Sequence, residues 1–250
     1  MRLALLGDPV EHSLSPAIHR AALATAGIPG SYEAMRVSAS GLEAALGRIR
    51  DGDLAGANVT MPHKRLAAAL CDGLDRDASD ARAVNTVALR GGRVHGWNTD
   101  VGAIRDALAA MPPAPVLVLG AGGSAAAALL AAVPRETVVA ARRPDAARAL
   151  AGSRAVVGEW GRPEDGAIVI NATPLGMAGE SLPERVLAAA VGLIDLAYGR
   201  SETPAVVEMR RRRMPVHDAI EVLIAQAAAS FTIWTGVEAP VEAMREAVGR

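Results

Sequence analysis

Residues Val116–Ala125 read V-L-V-L-G-A-G-G-S-A, and this stretch decides the fold because it joins an apolar strand to a glycine-rich turn and a helix. Gly120 permits a tight turn, Gly122 lets the backbone approach a pyrophosphate, and the small Ala125 allows close helix–strand packing. The free N–H groups at the start of such a helix bind phosphates. We therefore predict a dinucleotide site formed by Gly120, Ala121, Gly122, Gly123 and Ser124.

The next predicted strand, Thr137–Ala141, is followed by Arg142 and Arg143. A site for NAD carries an acid at this place, about 20 residues past the glycines, to bind the ribose 2′-hydroxyl. An acid would repel a 2′-phosphate, whereas guanidinium groups bind phosphate through two parallel hydrogen bonds. The pair therefore favours NADP as the cofactor; the alternative is a pair of solvated arginines at a strand end.

Short apolar runs alternate with helical patterns on both sides of this stretch, which indicates an α/β fold with mostly parallel sheets. Gly91 and Gly92 separate two apolar runs and predict a hairpin, and Pro62 favours a helix start. The proline-rich segment Met111–Pro115 ends a helix and stiffens a joint. The simplest organisation is two α/β units joined near residue 100.

Composition bounds the function classes. The chain has 250 residues, is 51% hydrophobic and carries a net charge of −1, so it suits packed cores and does not resemble a basic nucleic-acid binder. The arginine run at Glu208–Arg213 is interpreted as a solvated helix end. Cys71 is the only cysteine and no stretch reaches the roughly 20 apolar residues of a membrane span, so we expect a cytoplasmic protein. The histidines show no ligand spacing, so we predict no metal.

Lys64 is the only lysine in the chain, so 25 of the 26 basic residues are arginine. It follows a predicted strand and falls in the first turn of a helix, where the helix dipole disfavours a cation. A lysine ammonium can give up its proton, whereas arginine stays protonated. The position therefore suggests a chemical role, with chance survival of one surface lysine as the alternative.

A polar segment at Gly7–Pro16 follows the first predicted strand, at the end where α/β sheets bind ligands. Ser13 and Ser15 present hydroxyls just before a helix and could hold a carboxylate. The alternative is that Ser15 only caps the helix.

Together these segments resemble the shikimate dehydrogenase family along nearly the whole chain. The motifs are S-x-S-P at Ser13–Pro16, N-V-T-x-P-x-K at Asn58–Lys64, A-V-N-T at Ala83–Thr86, N-T-D at Asn98–Asp100, G-A-G-G at Gly120–Gly123, N-A-T-P-L-G-M at Asn171–Met177, D-x-x-Y at Asp195–Tyr198 and T-P at Thr203–Pro204. The resemblance implies an N-terminal α/β substrate-binding domain over residues 1–100, completed by helices in 219–250, and a Rossmann-type doubly wound NADP-binding domain over 101–218.

The implied reaction is the NADPH-dependent reduction of 3-dehydroshikimate to shikimate, with a monomer or homodimer and no nucleic-acid or membrane partner. A ketone that accepts a hydride becomes an alkoxide and needs a proton, for which Lys64 is the expected donor and Asp100 its orienting partner. The resemblance implies that the residues in contact with the substrate are Ser13, Ser15, Thr60, Asn85, Tyr198 and Gln226. It also implies that the cofactor is bound by the glycine-rich turn together with Arg142, Arg143, Asn171, Thr173 and Met177.

Three positions depart from the family pattern: Ala141 stands where many members have asparagine, Glu221 where they have glycine near the nicotinamide, and Ala103 where they often have glycine. Two other functions stay open. One is a sister enzyme acting on quinate or on an amino analogue; the paired serines favour shikimate, and the paired arginines argue against an NAD-linked quinate enzyme. The other is a non-catalytic NADP-binding regulator, which an intact Lys64 and Asp100 disfavour.

Overall fold

The computed structural model describes residues 1–250, and the chain forms two compact units. Unit 1 comprises Met1–Thr99 and Leu223–Arg250, and unit 2 comprises Asp100–Val222. The second boundary predicted from the sequence lies between residues 218 and 219. In the structure it lies inside the helix Ala219–Thr235, so the chain returns to unit 1 in the course of one helix.

Unit 1 is built on a six-stranded mixed sheet. Its strands are β1 (Arg2–Gly7), β2 (Ser31–Arg36), β3 (Gly56–Val59), β4 (Gly73–Leu74), β5 (Thr86–Arg90) and β6 (Arg93–Trp97), and its first helices are α1 (Ser15–Thr25), α2 (Leu42–Arg50), α3 (Lys64–Leu70) and α4 (Arg76–Ala81). The strand order is β2-β1-β3-β5-β6-β4, with β2, β1 and β3 parallel. Buried apolar side chains such as Leu6, Ile49 and Val84 form its core.

The antiparallel part of this sheet confirms the predicted hairpin. Strands β5 and β6 pair in register from Thr86↔Trp97 to Arg90↔Arg93. The two residues between them, Gly91 and Gly92, have φ of 58° and 75°. A two-residue turn that matches the twist of its strands needs positive φ at both positions, which glycine adopts without strain.

Unit 2 is built on a six-stranded sheet in which every neighbouring pair is parallel. Its strands are β7 (Val116–Leu119), β8 (Thr137–Ala140), β9 (Val156–Val157), β10 (Ile168–Asn171), β11 (Gly192–Asp195) and β12 (Val216–His217), and its helices are α5 (Thr99–Ala109), α6 (Gly123–Ala131), α7 (Pro144–Ala151), α8 (Glu184–Ala189) and α9 (Pro204–Arg211). The helices α10 (Ala219–Thr235) and α11 (Val241–Glu246) follow.

The strand order of unit 2 is β12-β11-β10-β7-β8-β9. From β7 the chain proceeds outward to β9, returns to β10 on the other side of β7, and proceeds outward again. This is the order of a doubly wound dinucleotide-binding sheet, in which ligands bind where the direction reverses. The predicted fold class, α/β with a Rossmann-type unit, is confirmed. None of the helices has both the length and the apolar character that a membrane span requires.

One local prediction is wrong. Helix α3 begins at Lys64 and not at Pro62, because the N–H of His63 closes a turn onto the carbonyl of Thr60 at 2.9 Å. The alternative reading of Ser15 as a helix cap is contradicted, since the residue at the cap of α1 is Leu14 and no side chain bonds the first turn.

The arginine run lies at the end of α9 and is mostly exposed, as predicted, but two of its members also make contacts within unit 2. Arg210 pairs with Glu202 and with Asp218, the latter at 2.8 Å. Arg212 donates to the backbone carbonyls of Leu187 and Ala188. Two of these arginines therefore join α9 to neighbouring segments of unit 2.

Candidate functional site

The glycine-rich turn lies between β7 and α6, at the point where the sheet of unit 2 reverses direction. Gly120 has φ of 123°, and a Cβ placed on it would lie 2.7 Å from the carbonyl oxygen of Ala172. Only glycine therefore fits there. Gly122 precedes α6, no side chain caps that helix, and a Cβ on Gly122 would meet nothing within 4 Å. The first N–H groups of α6 are thus left without a side-chain acceptor, which fits the binding of a phosphate.

The loop that follows β10 lies against this turn. Ala172 N donates to the carbonyl of Leu119 at 2.9 Å, and the methyl group of Thr173 is 3.4 Å from the position of a Gly120 Cβ. The structure therefore brings Gly120 and Thr173 together, as the sequence analysis expects. Met177, further along the loop, is 43% exposed.

The amide of Asn171 shapes this loop. Its Oδ1 accepts from the backbone N and the hydroxyl of Thr173, and its Nδ2 donates to the carbonyl of Leu175 and to Asp195 Oδ1. A carboxamide makes two hydrogen bonds at each end, so all four are made within unit 2. The predicted cofactor residue Asn171 therefore holds the loop in shape instead of presenting a free amide.

Asp195, which the sequence analysis quotes only as part of a motif, is the buried partner at the end of β11. Thr203 donates to its Oδ2 at 2.5 Å, and the backbone N of Ala197 donates to Oδ1 at 3.0 Å. Burial raises the pKa of Asp195, and the hydrogen bonds from Thr203, Ala197 and Asn171 lower it in part. This cluster ties together the loops that begin after β10 and β11.

Arg142 and Arg143 follow β8, the strand next to β7. Both side chains are exposed, and neither has a hydrogen bond or ion pair within the chain. A guanidinium that has no intramolecular acceptor is available to an anionic ligand. Their placement one strand from the glycine-rich turn matches the position expected for a 2′-phosphate.

In unit 1, the ends of β1 and β3 lie side by side and bring two of the predicted segments together. Thr60 N donates to the carbonyl of Leu6 at 2.9 Å, and a Cβ on Gly7 would clash with the Thr60 methyl group. Ser13 Oγ accepts from Ser15 N at 3.2 Å. The hydroxyl of Ser15 makes no hydrogen bond within the chain and stays available for a ligand.

Lys64 is the first residue of α3, and two contacts fix its backbone. The imidazole of the preceding residue, the buried His63, donates from Nε2 to the carbonyl of Val37 at 2.6 Å. The carbonyl of Lys64 accepts from Val84 N at 2.8 Å. Val84 directly precedes Asn85 in the chain. The contact with Val84 therefore brings two predicted site residues of unit 1, Lys64 and Asn85, close together.

A buried polar cluster joins β3, β5, the start of α5 and α10. Asn85 Nδ2 donates to the hydroxyl of Thr99 at 2.9 Å and to Gln226 Oε1 at 3.2 Å. Asn58 Nδ2 donates to Ser230 Oγ at 3.1 Å, and the hydroxyls of Thr86 and Ser230 lie 2.7 Å apart. The structure thus brings together Asn85 and Gln226, which are 141 positions apart in the chain.

No role is predicted from the sequence for three members of this cluster, Thr86, Thr99 and Ser230. One signal points to Ser230, because it lies four residues after Gln226 and therefore on the same face of a helix. Two further predicted residues, Asp100 and Tyr198, belong to unit 2. Asp100 directly follows Thr99 in the first turn of α5, Tyr198 lies in the loop after β11, and both are partly exposed.

The doubly wound parallel sheet, the glycine-rich turn and the uncapped α6 define a dinucleotide-binding protein. Residues 5–87 match the sequence model of the shikimate dehydrogenase substrate binding domain, and residues 220–248 match that of the shikimate 5′-dehydrogenase C-terminal domain.

Two curated relatives carry the name shikimate dehydrogenase (NADP⁺). The one from Thermus thermophilus is 39% identical, with 100% of this chain and 98% of the relative covered. The one from Methanopyrus kandleri is 38% identical, with 98% and 93% covered. A crystal structure of shikimate 5-dehydrogenase from Thermus thermophilus with NADP(H) and shikimate superposes with a TM-score of 0.89 at 34% identity, over 99% of this chain and 98% of that one. The chain belongs to the shikimate dehydrogenase family.

Proposed function

We propose that this chain is an NADP-dependent oxidoreductase that reversibly reduces 3-dehydroshikimate to shikimate, in the pathway to chorismate and the aromatic amino acids. The observation that carries the proposal is the full-length similarity to NADP⁺-dependent shikimate dehydrogenases at up to 39% identity. The geometry supports it, because the glycine-rich turn, the uncapped start of α6 and the unpaired Arg142 and Arg143 suit a dinucleotide with a 2′-phosphate.

The residues of unit 1 account for recognition of the other reactant. The hydroxyls of Ser13 and Ser15 lie at the start of α1 and suit the carboxylate of the substrate. The family resemblance adds Tyr198 as a further proposed substrate contact. Thr60, Asn85 and Gln226 suit its ring oxygens. Hydroxyls and amides bind such oxygens through hydrogen bonds that a less oxygenated ring could not accept.

The chemistry supplied by the bound cofactor is a hydride for the ketone carbon. The ammonium of Lys64 stabilises the negative charge that develops on the ketone oxygen and then protonates it. Asp100 orients that ammonium. In the reverse direction, neutral Lys64 takes the proton from the substrate hydroxyl. Lysine suits this role and arginine does not, because only the ammonium can give up and regain a proton under ordinary conditions.

The test is an absorbance assay of nicotinamide reduction with shikimate and NADP⁺, repeated with quinate and with NAD⁺. We expect turnover of shikimate with NADP⁺ and weak activity with quinate or NAD⁺. Lys64→Ala should lower kcat by at least about 100-fold, the usual contribution of a general acid. Lys64→Arg should fail as well.

Arg65→Ala is the matched control, because this neighbouring cation of the same helix is exposed. It should keep normal turnover. Near-normal kcat in Lys64→Ala would contradict the role of Lys64. Binding of NADP⁺ without turnover of any of these substrates would support the non-catalytic regulator instead.

The comparisons do not favour a quinate or amino-analogue enzyme. A cytoplasmic location and a monomeric or homodimeric state are further proposals. Cell fractionation tests the location, and light scattering of the purified chain tests the oligomeric state.

A further inference from the structure

The side-chain amide of Gln226 is almost fully committed to other groups of unit 1. Its Oε1 accepts from Asn85 Nδ2 at 3.2 Å and faces the hydroxyl of Thr99 at 3.4 Å, whose single hydrogen is shared with Asn85 Oδ1 at 3.2 Å. Its Nε2 donates to the backbone carbonyl of Leu223 at 2.8 Å. A carboxamide oxygen accepts two hydrogen bonds and its nitrogen carries two hydrogens. The oxygen of Gln226 is therefore turned toward Asn85 and Thr99, and one N–H is left for a ligand.

Two backbone groups fix the direction in which this amide points. The backbone N of Thr99 lies 2.8 Å from Asn85 Oδ1, and because an N–H can only donate, Asn85 has to turn its Nδ2 toward Gln226. The carbonyl of Leu223 can only accept, so Nε2 of Gln226 has to face it. Rotating either side-chain amide by 180° would place two donors or two acceptors against each other in a buried cluster. Such unsatisfied contacts would lower the stability of the fold.

Ser230 holds the helical turn that carries Gln226. Its side chain is fully buried, and its hydroxyl donates to the backbone carbonyl of Gln226 at 2.9 Å. Because the hydrogen of Ser230 is used there, its oxygen accepts from the hydroxyl of Thr86 at 2.7 Å and from Asn58 Nδ2 at 3.1 Å. Ser230 therefore connects the backbone of α10 to β5 and β3.

We infer that Gln226 meets its substrate only as a hydrogen-bond donor, and that Thr99 and Ser230 are the positioning residues that impose this polarity. The inference rests on the proposed function, which places Gln226 against the ring of the substrate. The oxygen of a hydroxyl or ketone accepts such a hydrogen bond, whereas an ammonium group offers only hydrogens. The arrangement selects an oxygen over an ammonium group at the ring position that faces Gln226.

The experiment compares kcat and KM for shikimate and for NADP⁺ in the wild type, Thr99→Val and Ser230→Ala. Loss of one positioning hydroxyl should raise the KM for shikimate roughly five- to tenfold, the value of one net hydrogen bond. The KM for NADP⁺ and kcat at saturation should change by less than about twofold, because binding lost equally from the ground and transition states leaves kcat unchanged.

Two further variants separate positioning from mere loss of a hydroxyl. Thr99→Ser keeps the hydroxyl and should restore the wild-type KM for shikimate. Thr232→Ala is the matched control: Thr232 lies exposed on α10 and donates to the carbonyl of Ala228 at 3.2 Å, the same bond to the preceding turn that Ser230 makes. It should leave every constant unchanged.

The substrate pair tests the polarity itself. In the wild type, kcat/KM for shikimate should be at least about tenfold higher than kcat/KM for an analogue that carries an amino group in place of a ring hydroxyl. In Thr99→Val, the ratio of these two kcat/KM values should be smaller. An unchanged KM for shikimate in Thr99→Val and Ser230→Ala would overturn the inference. So would a loss of kcat and melting temperature with both KM values unchanged, since that is a purely structural effect. A wild type that does not oxidise shikimate would contradict the proposed function instead.

Discussion

His19 makes the folding stability of unit 1 dependent on pH. Its imidazole is fully buried in α1, stacks on Tyr32 with ring centres 4.5 Å apart, and lies 5.2 Å from the ring of Trp234. Neither ring nitrogen has a hydrogen-bond partner. Burial lowers the pKa of His19 from 6.5 to about 3, and the nearby amide of Asn58 offsets only part of that effect. The folded protein therefore keeps this histidine neutral where the unfolded chain protonates it.

The sign and size of the effect follow from these two pKa values. Above pH 6.5 neither state is protonated and the stability is complete. As the pH falls from 6.5 toward 3, the unfolded state alone takes up a proton, so the free energy of unfolding decreases by about 1.4 kcal/mol per pH unit. Between pH 8 and pH 5 the loss is therefore about 2 kcal/mol. Because native domains are stable by only about 5–15 kcal/mol, this loss is readily measured.

The assay is urea unfolding of the wild type and His19→Phe at pH 8 and pH 5. Phenylalanine keeps a ring against Tyr32 and does not titrate, so the wild type should lose about 2 kcal/mol more than His19→Phe. Other groups titrate in both proteins and cancel in the difference. The exposed His12 supplies the control, because His12→Gln should follow the wild type. A difference between wild type and His19→Phe that is the same at both pH values would refute the reasoning.

Three further predictions concern unit 2. Gly120→Ala should weaken NADP⁺ binding and destabilise the fold by about 2 kcal/mol or more, because of its clash and positive φ, whereas Gly122→Ala, which meets no protein atom, should weaken binding with little change in melting temperature. Replacing Arg142 and Arg143 by glutamine should raise the Kd for NADP⁺ roughly 10- to 100-fold and leave that for NAD⁺ unchanged, as titration calorimetry can measure. Thr203→Val should lower the free energy of unfolding by about 1–3 kcal/mol by removing a donor to a buried carboxylate, and Thr203→Ser should restore most of it.

Helices and strands with a clear residue pattern can be predicted from the sequence, whereas strands of two residues cannot. The apolar strand β7 has the predicted bounds, since four buried residues before a glycine leave little choice. The two-residue strands β9 and β12 were not predicted, because two residues carry no periodicity. The start of α3 was misplaced because a helix-start preference for proline lost to a turn closed by backbone hydrogen bonds.

The candidate site divides in the same way. Candidate reactive and ligand-binding residues, such as Lys64 and the adjacent Arg142 and Arg143, can be recognised in the sequence because these residue types are unexpected at their positions. The residues that position the site through hydrogen bonds cannot be recognised in this way, because asparagine and serine are common throughout a chain. Asn58 and Ser230 are 172 positions apart, and only the fold shows that they are hydrogen-bonded.

The buried polar cluster also explains why the chain returns to unit 1. Without α10, Asn58 Nδ2, the hydroxyl of Thr86 and the carbonyl of Val87, which accepts from Trp234 Nε1 at 3.0 Å, would each lose a partner. Asn58 Nδ2 and the hydroxyl of Thr86 would keep partners on Asn85, so each hydrogen bond lost would remove about 0.5–1.5 kcal/mol. Because Ala227 and Phe231 of α10 are also fully buried, this helix is part of the core of unit 1. Because it carries both Gln226 and Ser230, the hydrogen bonds that complete the fold are the same ones that orient the proposed substrate-facing amide.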